Sequence, residues 1–271
     1  MKKKLPVIVI GCVLLLGVCL ILYPVVSAIL AKMTQSVTIS NYQHAVDNLS
    51  NHEIEKLKSE AMKYNESLSG AVLTDAFANA KGSETSSFRL LNTGEVIGYI
   101  EIPKINVYLP IYHGTTEDIL QKGVGHLNNT SLPIGGKSTH AVLSGHRGLP
   151  SATLFTDLDQ LVNKDVFYIH ILDEVLAYKV DQIKVVNPED INDLKIQDGK
   201  DYVTLVTCTP YGINTQRLLV RGERTEYMVP QKPVKPVPAL VNEVTVVPTV
   251  FLILAVFPIV LLIRKKKEAR K

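Results

Sequence analysis

Residues Thr204 to Arg217 read TLVTCTPYGINTQR. A β-type run, Tyr202–Thr207, closes on Cys208, and nine residues later Arg217 opens another, Arg217–Arg221. A short hairpin-like return between them sets the thiol beside the guanidinium. Cys208 is also the one cysteine of three outside an apolar run. It has no partner for an intramolecular disulfide on its side of a membrane, and it reads as a nucleophile.

Outward from this stretch the same texture continues. Val96–Ile102, Val107–Tyr112, His140–Ser144, Val166–Ile171 and Leu176–Val186 are rich in Val, Ile, Leu and Tyr, and each ends at Pro, Gly, Asn or Asp. Seven or eight short strands in about 130 residues, with helical candidates only at Leu154–Val162 and Pro188–Leu194, predict an all-β domain. Periodicity leaves two forms open, a closed or nearly closed barrel and an open sandwich.

The two ends of the 271-residue chain are apolar. Leu5 to Ala31 is an uncharged run of 27 residues behind Lys2, Lys3 and Lys4. A signal-peptide core is about 7–15 residues, so this run is too long for one and reads as a signal anchor. Val244 to Ile263 is a second uncharged run, of 20 residues, followed by Arg264-Lys265-Lys266-Lys267. Basic clusters mark the cytoplasmic side of a span, which predicts both termini inside and residues 32–243 outside a cell membrane. Between the basic ends, 20 basic residues face 25 acidic ones, a net charge of −5. The formal +3 of the whole chain therefore reports membrane topology and gives no argument for nucleic-acid binding.

The expected organisation follows. Residues 1–31 form the N-terminal transmembrane anchor and 32–94 a helical segment with a loop. Val46, Leu49, Ile54, Leu57 and Ala61 have helical spacing there, as a bracing stalk or a solvated connector. Residues 95–229 form the β-domain. Residues 230–243, with four prolines between Pro230 and Pro238, form a polyproline II spacer. A second transmembrane helix, 244–263, and a basic tail, 264–271, complete the chain.

A thiol with a pKa of about 8.5 is only a few per cent thiolate at neutral pH and needs a base or cation beside it. Seven histidines are available, His44, His52, His113, His126, His140, His146 and His170. His146 stands in Ser144-Gly145-His146-Arg147-Gly148 at the end of a β-type run, where flanking glycines leave room beside an imidazole. A histidine in such a turn is also a common structural feature, so its partners decide. Arg217 has the donors to stabilise an oxyanion or hold a substrate backbone, or to form a surface ion pair. No CxxC, HExxH or complete phosphate loop is present, so no metal and no cofactor are expected.

Leu205-Val206-Thr207-Cys208, Ser144-Gly145-His146 and Arg217 together resemble the sortase family, membrane-anchored cysteine transpeptidases of Gram-positive surfaces. The resemblance covers about Glu95 to Arg224 and implies an eight-stranded sortase β-barrel with short helices. It implies that Cys208 cleaves the Thr–Gly bond of an LPxTG-like sorting signal through a thioacyl-enzyme. His146 would act as acid and base, Arg217 would steady the oxyanion, and Thr207 would add a hydroxyl to the same contact.

Thr209–Thr215, Gly148-Leu149-Pro150-Ser151 and the second apolar run are similar to class C sortases, which polymerise pilins by passing the acyl group to a pilin lysine. Members of that class carry a lid with an Asp-Pro-aromatic tripeptide. Asp75-Ala76-Phe77 matches at the acid and the aromatic and departs at Ala76, and Gln216 replaces a frequent histidine. The lid reading pairs Asp75 with Arg217 and lays Phe77 over Cys208. Implied partners are pilin subunits or surface proteins with the sorting signal, and an amine acceptor. A housekeeping sortase using a peptidoglycan amine and a catalytically silent pilus-assembly scaffold are the alternatives.

Overall fold

The computed structural model describes residues 5–68, 75, 77, 91, 94, 96–230 and 233–234. The expected C-terminal transmembrane helix and basic tail, Ala76 and most of the spacer and lid loop lie outside the described residues.

Helix α1, Leu5–Asp47, runs for 43 residues with Pro24 inside it. Among the described residues it is the one helix long and apolar enough to cross a membrane. Its first part exposes Val13, Leu14, Leu16, Leu20 and Ile21. Its last turns instead bury Ile39, Tyr42 and Val46 against Val96, Tyr99 and Tyr112 of the β-domain. The Tyr42 hydroxyl donates to the Ile97 carbonyl at 3.1 Å and accepts from the Leu172 amide at 2.7 Å.

Helix α2, Asn51–Ser67, starts in a capping box: the Ser50 hydroxyl accepts from the Glu53 amide and the Glu53 carboxylate accepts from the Ser50 amide. It sets Ile54 and Ala61 into the main core. Asn65, at its far end, bonds both the carbonyl and the amide of Leu132.

Eight strands follow: β1 (Val96–Ile102), β2 (Val107–His113), β3 (Val124–His126), β4 (Thr139–Ser144), β5 (Val166–Ile171), β6 (Glu174–Val186), β7 (Asp201–Thr209) and β8 (Gln216–Thr225). They close into a barrel in the order β1-β2-β3-β4-β7-β8-β6-β5, with β5 returning to β1. The open-sandwich alternative is thereby removed. Most neighbours are antiparallel, but β2/β3 and β4/β7 are parallel. The six-residue helix α3, Glu117–Lys122, links β2 to β3.

Alternation along the strands sorts the faces. Val203 and Leu205 of β7, Ala141 and Leu143 of β4, and Leu218 and Val220 of β8 point into the barrel core. Val206, Val142 and Leu219 belong to a separate cluster on the outer face, closed by Leu127 and Leu194. The two segments expected to be helical form only single 3₁₀ turns, Leu158–Gln160 and Asn192–Leu194. Leu154 has φ +42°, which stops a helix from starting there.

Beyond β8 the chain folds back over β1 and β5. The Tyr168 hydroxyl donates to the Met228 carbonyl at 3.1 Å, and the Val234 amide donates to the Glu101 carboxylate at 2.8 Å. Val234 lines a small cavity together with Ala31, Lys32 and Gln35 of α1.

Candidate active site

Cys208 and Arg217 are direct partners across the β7/β8 ladder. Counting alternately from Val206 and Leu219, both side chains stand on the outer face. The parallel pairing of β4 with β7 brings in the third group. Ser144 is level with Val206, and the Gly145 amide extends the ladder to the Val206 carbonyl at 3.1 Å. His146 and Cys208 each follow two residues beyond that level, so parallel strands deliver both to the same end of the barrel.

Gly145 is required by packing, since a Cβ there would lie 2.7 Å from the Phe155 ring. The His146 carbonyl accepts from the Phe155 amide at 3.1 Å, fixing the loop beyond β4. Arg147 pairs with Asp159 and lies 5.7 Å from the Tyr211 ring, so the histidine loop and the β7/β8 loop are tied together.

The guanidinium of Arg217 serves two partners. Its Nε and Nη2 donate to the two carboxylate oxygens of Asp75 at 2.9 and 2.7 Å. Its Nη1 lies 3.6 Å from Cys208 Sγ. Phe77 sits between the polar groups, with its ring 5.0 Å from the Arg217 guanidinium and 5.8 Å from the His146 ring. It also packs on the outer-face cluster of Val206 and Leu219. Asp75 and Phe77 thus bracket the same three side chains that the sequence singled out.

Burial pushes the Cys208 thiol above its ordinary pKa, the positive charge of Arg217 opposes this, and the Asp75 carboxylate adds to it. The bidentate bond to Asp75 raises the pKa of Arg217 further, so it stays a cation throughout.

Thr207 is placed differently from Cys208. Its parity follows Val203 and Leu205, it is fully buried, and its hydroxyl donates to the Gly145 carbonyl at 2.8 Å. That hydroxyl holds the backbone one residue before His146.

Three other histidines are held in structural settings. His140 bonds the Lys195 carbonyl at 2.9 Å and the Thr204 hydroxyl at 2.7 Å, and burial lowers its pKa to about 4. His126, enclosed near Thr130 and Ser131, is lowered to about 4 for the same reason. His170 stacks on Tyr99 with ring centres 4.2 Å apart. His146 differs: its Nε2 lies 3.2 Å from both carboxylate oxygens of Glu117, the first residue of α3. Nothing in the sequence singled out Glu117, because its partner is 29 residues away and only the β2–β3–β4 arrangement joins them. A cavity of about 1040 Å³ lies at the other end of β4, lined by Thr139, His140, Leu194 and Lys195 and by none of these site residues. No group of three or more His, Cys, Asp or Glu among the described residues is arranged to hold a metal ion.

Comparison with known proteins agrees with this geometry. The model of the sortase domain matches residues 100–225. Sortase A of Streptococcus agalactiae serotype III (strain NEM316) is 30% identical over 187 residues, 68% of this chain and 71% of that protein. Sortase D of Bacillus subtilis (strain 168) is 34% identical over 135 residues, 49% of this chain and 65% of that protein, so the match spans just under two thirds of that relative. Among solved structures, the sortase C of Streptococcus pneumoniae, described in terms of catalysis and pilin substrate specificity, superposes with a TM-score of 0.68 at 47% identity. That superposition covers 71% of this chain and 98% of the other. With a closed eight-stranded barrel, a cysteine and an arginine paired at its rim, and these relatives, the chain belongs to the sortase family of cysteine transpeptidases and is structurally similar to its class C members.

Proposed function

We propose that the protein is a membrane-anchored, pilin-polymerising transpeptidase. The Cys208 thiolate attacks the Thr carbonyl of an LPxTG-like sorting signal, and Arg217 steadies the oxyanion that forms. The Thr–Gly bond breaks as His146, as imidazolium, gives its proton to the leaving Gly amine. A lysine ε-amine of the next pilin then attacks the thioacyl carbonyl and loses a proton to His146. The thiolate leaves, and an isopeptide bond remains. The sequence needs no cofactor, because acyl transfer is balanced by these groups alone.

In this reading Asp75 and Phe77 are a lid. Asp75 occupies the donors of Arg217 that would face substrate, and Phe77 fills the space between Arg217 and His146. This pair of contacts carries the preference for pilin polymerisation over cell-wall anchoring. Thr207 acts from behind, through the Gly145 carbonyl. Helix α1 anchors the barrel on the extracellular face of the cell membrane. A second span at 244–263 would bring the C-terminus back to the cytoplasmic side.

The test uses the full chain in detergent micelles with a sorting-signal peptide and two amines offered in competition, a pilin lysine and a peptidoglycan amine. The expected result is a thioacyl species in the wild type, none in Cys208→Ala, and transfer to the pilin lysine. Preferred transfer to the peptidoglycan amine would assign the housekeeping role. Absence of any thioacyl species, even with Asp75 and Phe77 both changed to alanine, would leave a silent scaffold.

A further inference from the structure

Glu117 has no part in the chemistry above, yet its carboxylate is the hydrogen-bond partner of the proposed acid and base. Both oxygens lie 3.2 Å from His146 Nε2. The carboxylate is itself held, since Gln121, one turn along α3, donates to Oε1 at 3.0 Å. The imidazole is largely enclosed, with 18% of its side-chain surface exposed, while Glu117 is 51% exposed. Phe77 stands at 5.8 Å, tilted 34° to the imidazole. The ring is therefore placed by three contacts: Phe77 beside it, its own backbone fixed to Phe155, and Glu117 at one nitrogen.

We infer that Glu117 is a positioning residue for the transpeptidation, a carboxylate that keeps the proton of neutral His146 on Nε2 and so reserves Nδ1 for exchange with the thiol and the amines. The inference rests on His146 being the acid and base proposed above. A neutral imidazole has one donor and one acceptor nitrogen, and the hydrogen bond at one decides the role of the other. A carboxylate accepts only, so Nε2 beside Glu117 is the donor. Nδ1 then carries the lone pair that takes the Cys208 proton, and the resulting imidazolium donates from both nitrogens. When Nδ1–H protonates the leaving amine, Nε2 keeps its proton and the ring returns to the starting tautomer, ready for the incoming amine. A buried aspartate does this work for the histidine of serine proteases. Here the carboxylate is half exposed, so solvent weakens the interaction and a smaller effect follows.

The experiment compares Glu117→Gln and Glu117→Leu with the wild type in the full chain, measuring steady-state transfer from the sorting-signal peptide and ¹⁵N signals of the His146 ring. The leucine variant should lower kcat about tenfold, a part of the range of general acid–base catalysis, with KM within twofold. The glutamine variant, which keeps an acceptor, should fall between. Neutral His146 should be the Nε2–H form in the wild type and a mixture of tautomers in Glu117→Leu. An unchanged or raised kcat in Glu117→Leu overturns the inference, as does a loss confined to KM. If the leucine variant fails to fold by circular dichroism, the glutamine variant decides, and a kcat within twofold of wild type overturns it. Cys208→Ala and His146→Ala are run in parallel. Activity surviving in those two defeats the underlying assignment of roles, whereas their inactivity beside an active Glu117→Leu defeats only the role of Glu117.

Discussion

At Cys208 burial and two charges compete over a single proton. Burial and the Asp75 carboxylate favour the thiol, while Arg217, 3.6 Å from the sulfur, favours the thiolate. Removing Asp75 deletes one of the raising influences and leaves the cation of Arg217 unshared. The thiol pKa should therefore fall, so Asp75→Ala is expected to move the pH profile of a thiol-reactive probe to lower pH and to speed labelling several-fold at pH 7. A profile displaced upward, or an unchanged rate, would contradict that sign. Arg217→Lys should abolish the two-pronged contact with Asp75, because an ammonium has no planar fork, and should cost activity even though the charge is kept. Thr207 offers a contrast within one residue of Cys208. Thr207→Val removes the donor to the Gly145 carbonyl and should lower stability by about 1–3 kcal/mol in urea titration, the cost of an unsatisfied buried acceptor.

Among the elements, α2 packs Ile54 and Ala61 into the core and pairs Lys58 with Asp173 and Glu174, and one further side chain mimics a strand partner. Asn65 satisfies both the amide and the carbonyl of Leu132, and Asn65→Ala would orphan both in a buried setting. A loss of about 1–3 kcal/mol per group is expected, measured by chemical denaturation, and a change below 0.5 kcal/mol would mean that water replaces the amide. Most strands were legible in the sequence to within a residue or two, because runs of Val, Ile, Leu and Tyr stop at turn residues, whereas β8 continues four residues beyond the expected Arg221 through the polar Gly222–Thr225. Strand β3 has three residues and α3 has six, too few for any period to show. The hairpin that pairs Cys208 with Arg217 is local and could be read from the chain. The nearness of His146 depends on the parallel β4/β7 pair, whose strands are about 60 residues apart. No spacing rule reports such a contact, and only the likeness of the motifs to a known family anticipated it. Glu117 lies further beyond reach, since it depends on α3, β3 and β4 together.

For the molecule as a whole, the described segment after β8 returns across β1 to a cavity shared with α1. Val234 and the α1 residues Ala31 and Lys32 line that small cavity. In the proposed topology, Cys12 and Cys19 are within the bilayer and Cys208 is outside. A membrane-impermeant maleimide applied to intact cells should label the chain with Asp75→Ala and Phe77→Ala, and the label should vanish when Cys208→Ala is added. Persistent labelling without Cys208 would contradict the place of Cys12 and Cys19 in the bilayer, and no labelling at all would reverse the topology. Helix α1 also has a kinetic consequence. It passes from its apolar turns to its bonds with Ile97 and Leu172 with no loop between, so in the proposed topology the barrel would rest on its own anchor instead of swinging from a tether. An enzyme held this way explores a thin layer of space. How often it meets a partner would depend on lateral drift within the membrane and on how far the partner's sorting signal stands above it, more than on concentration in the surrounding fluid.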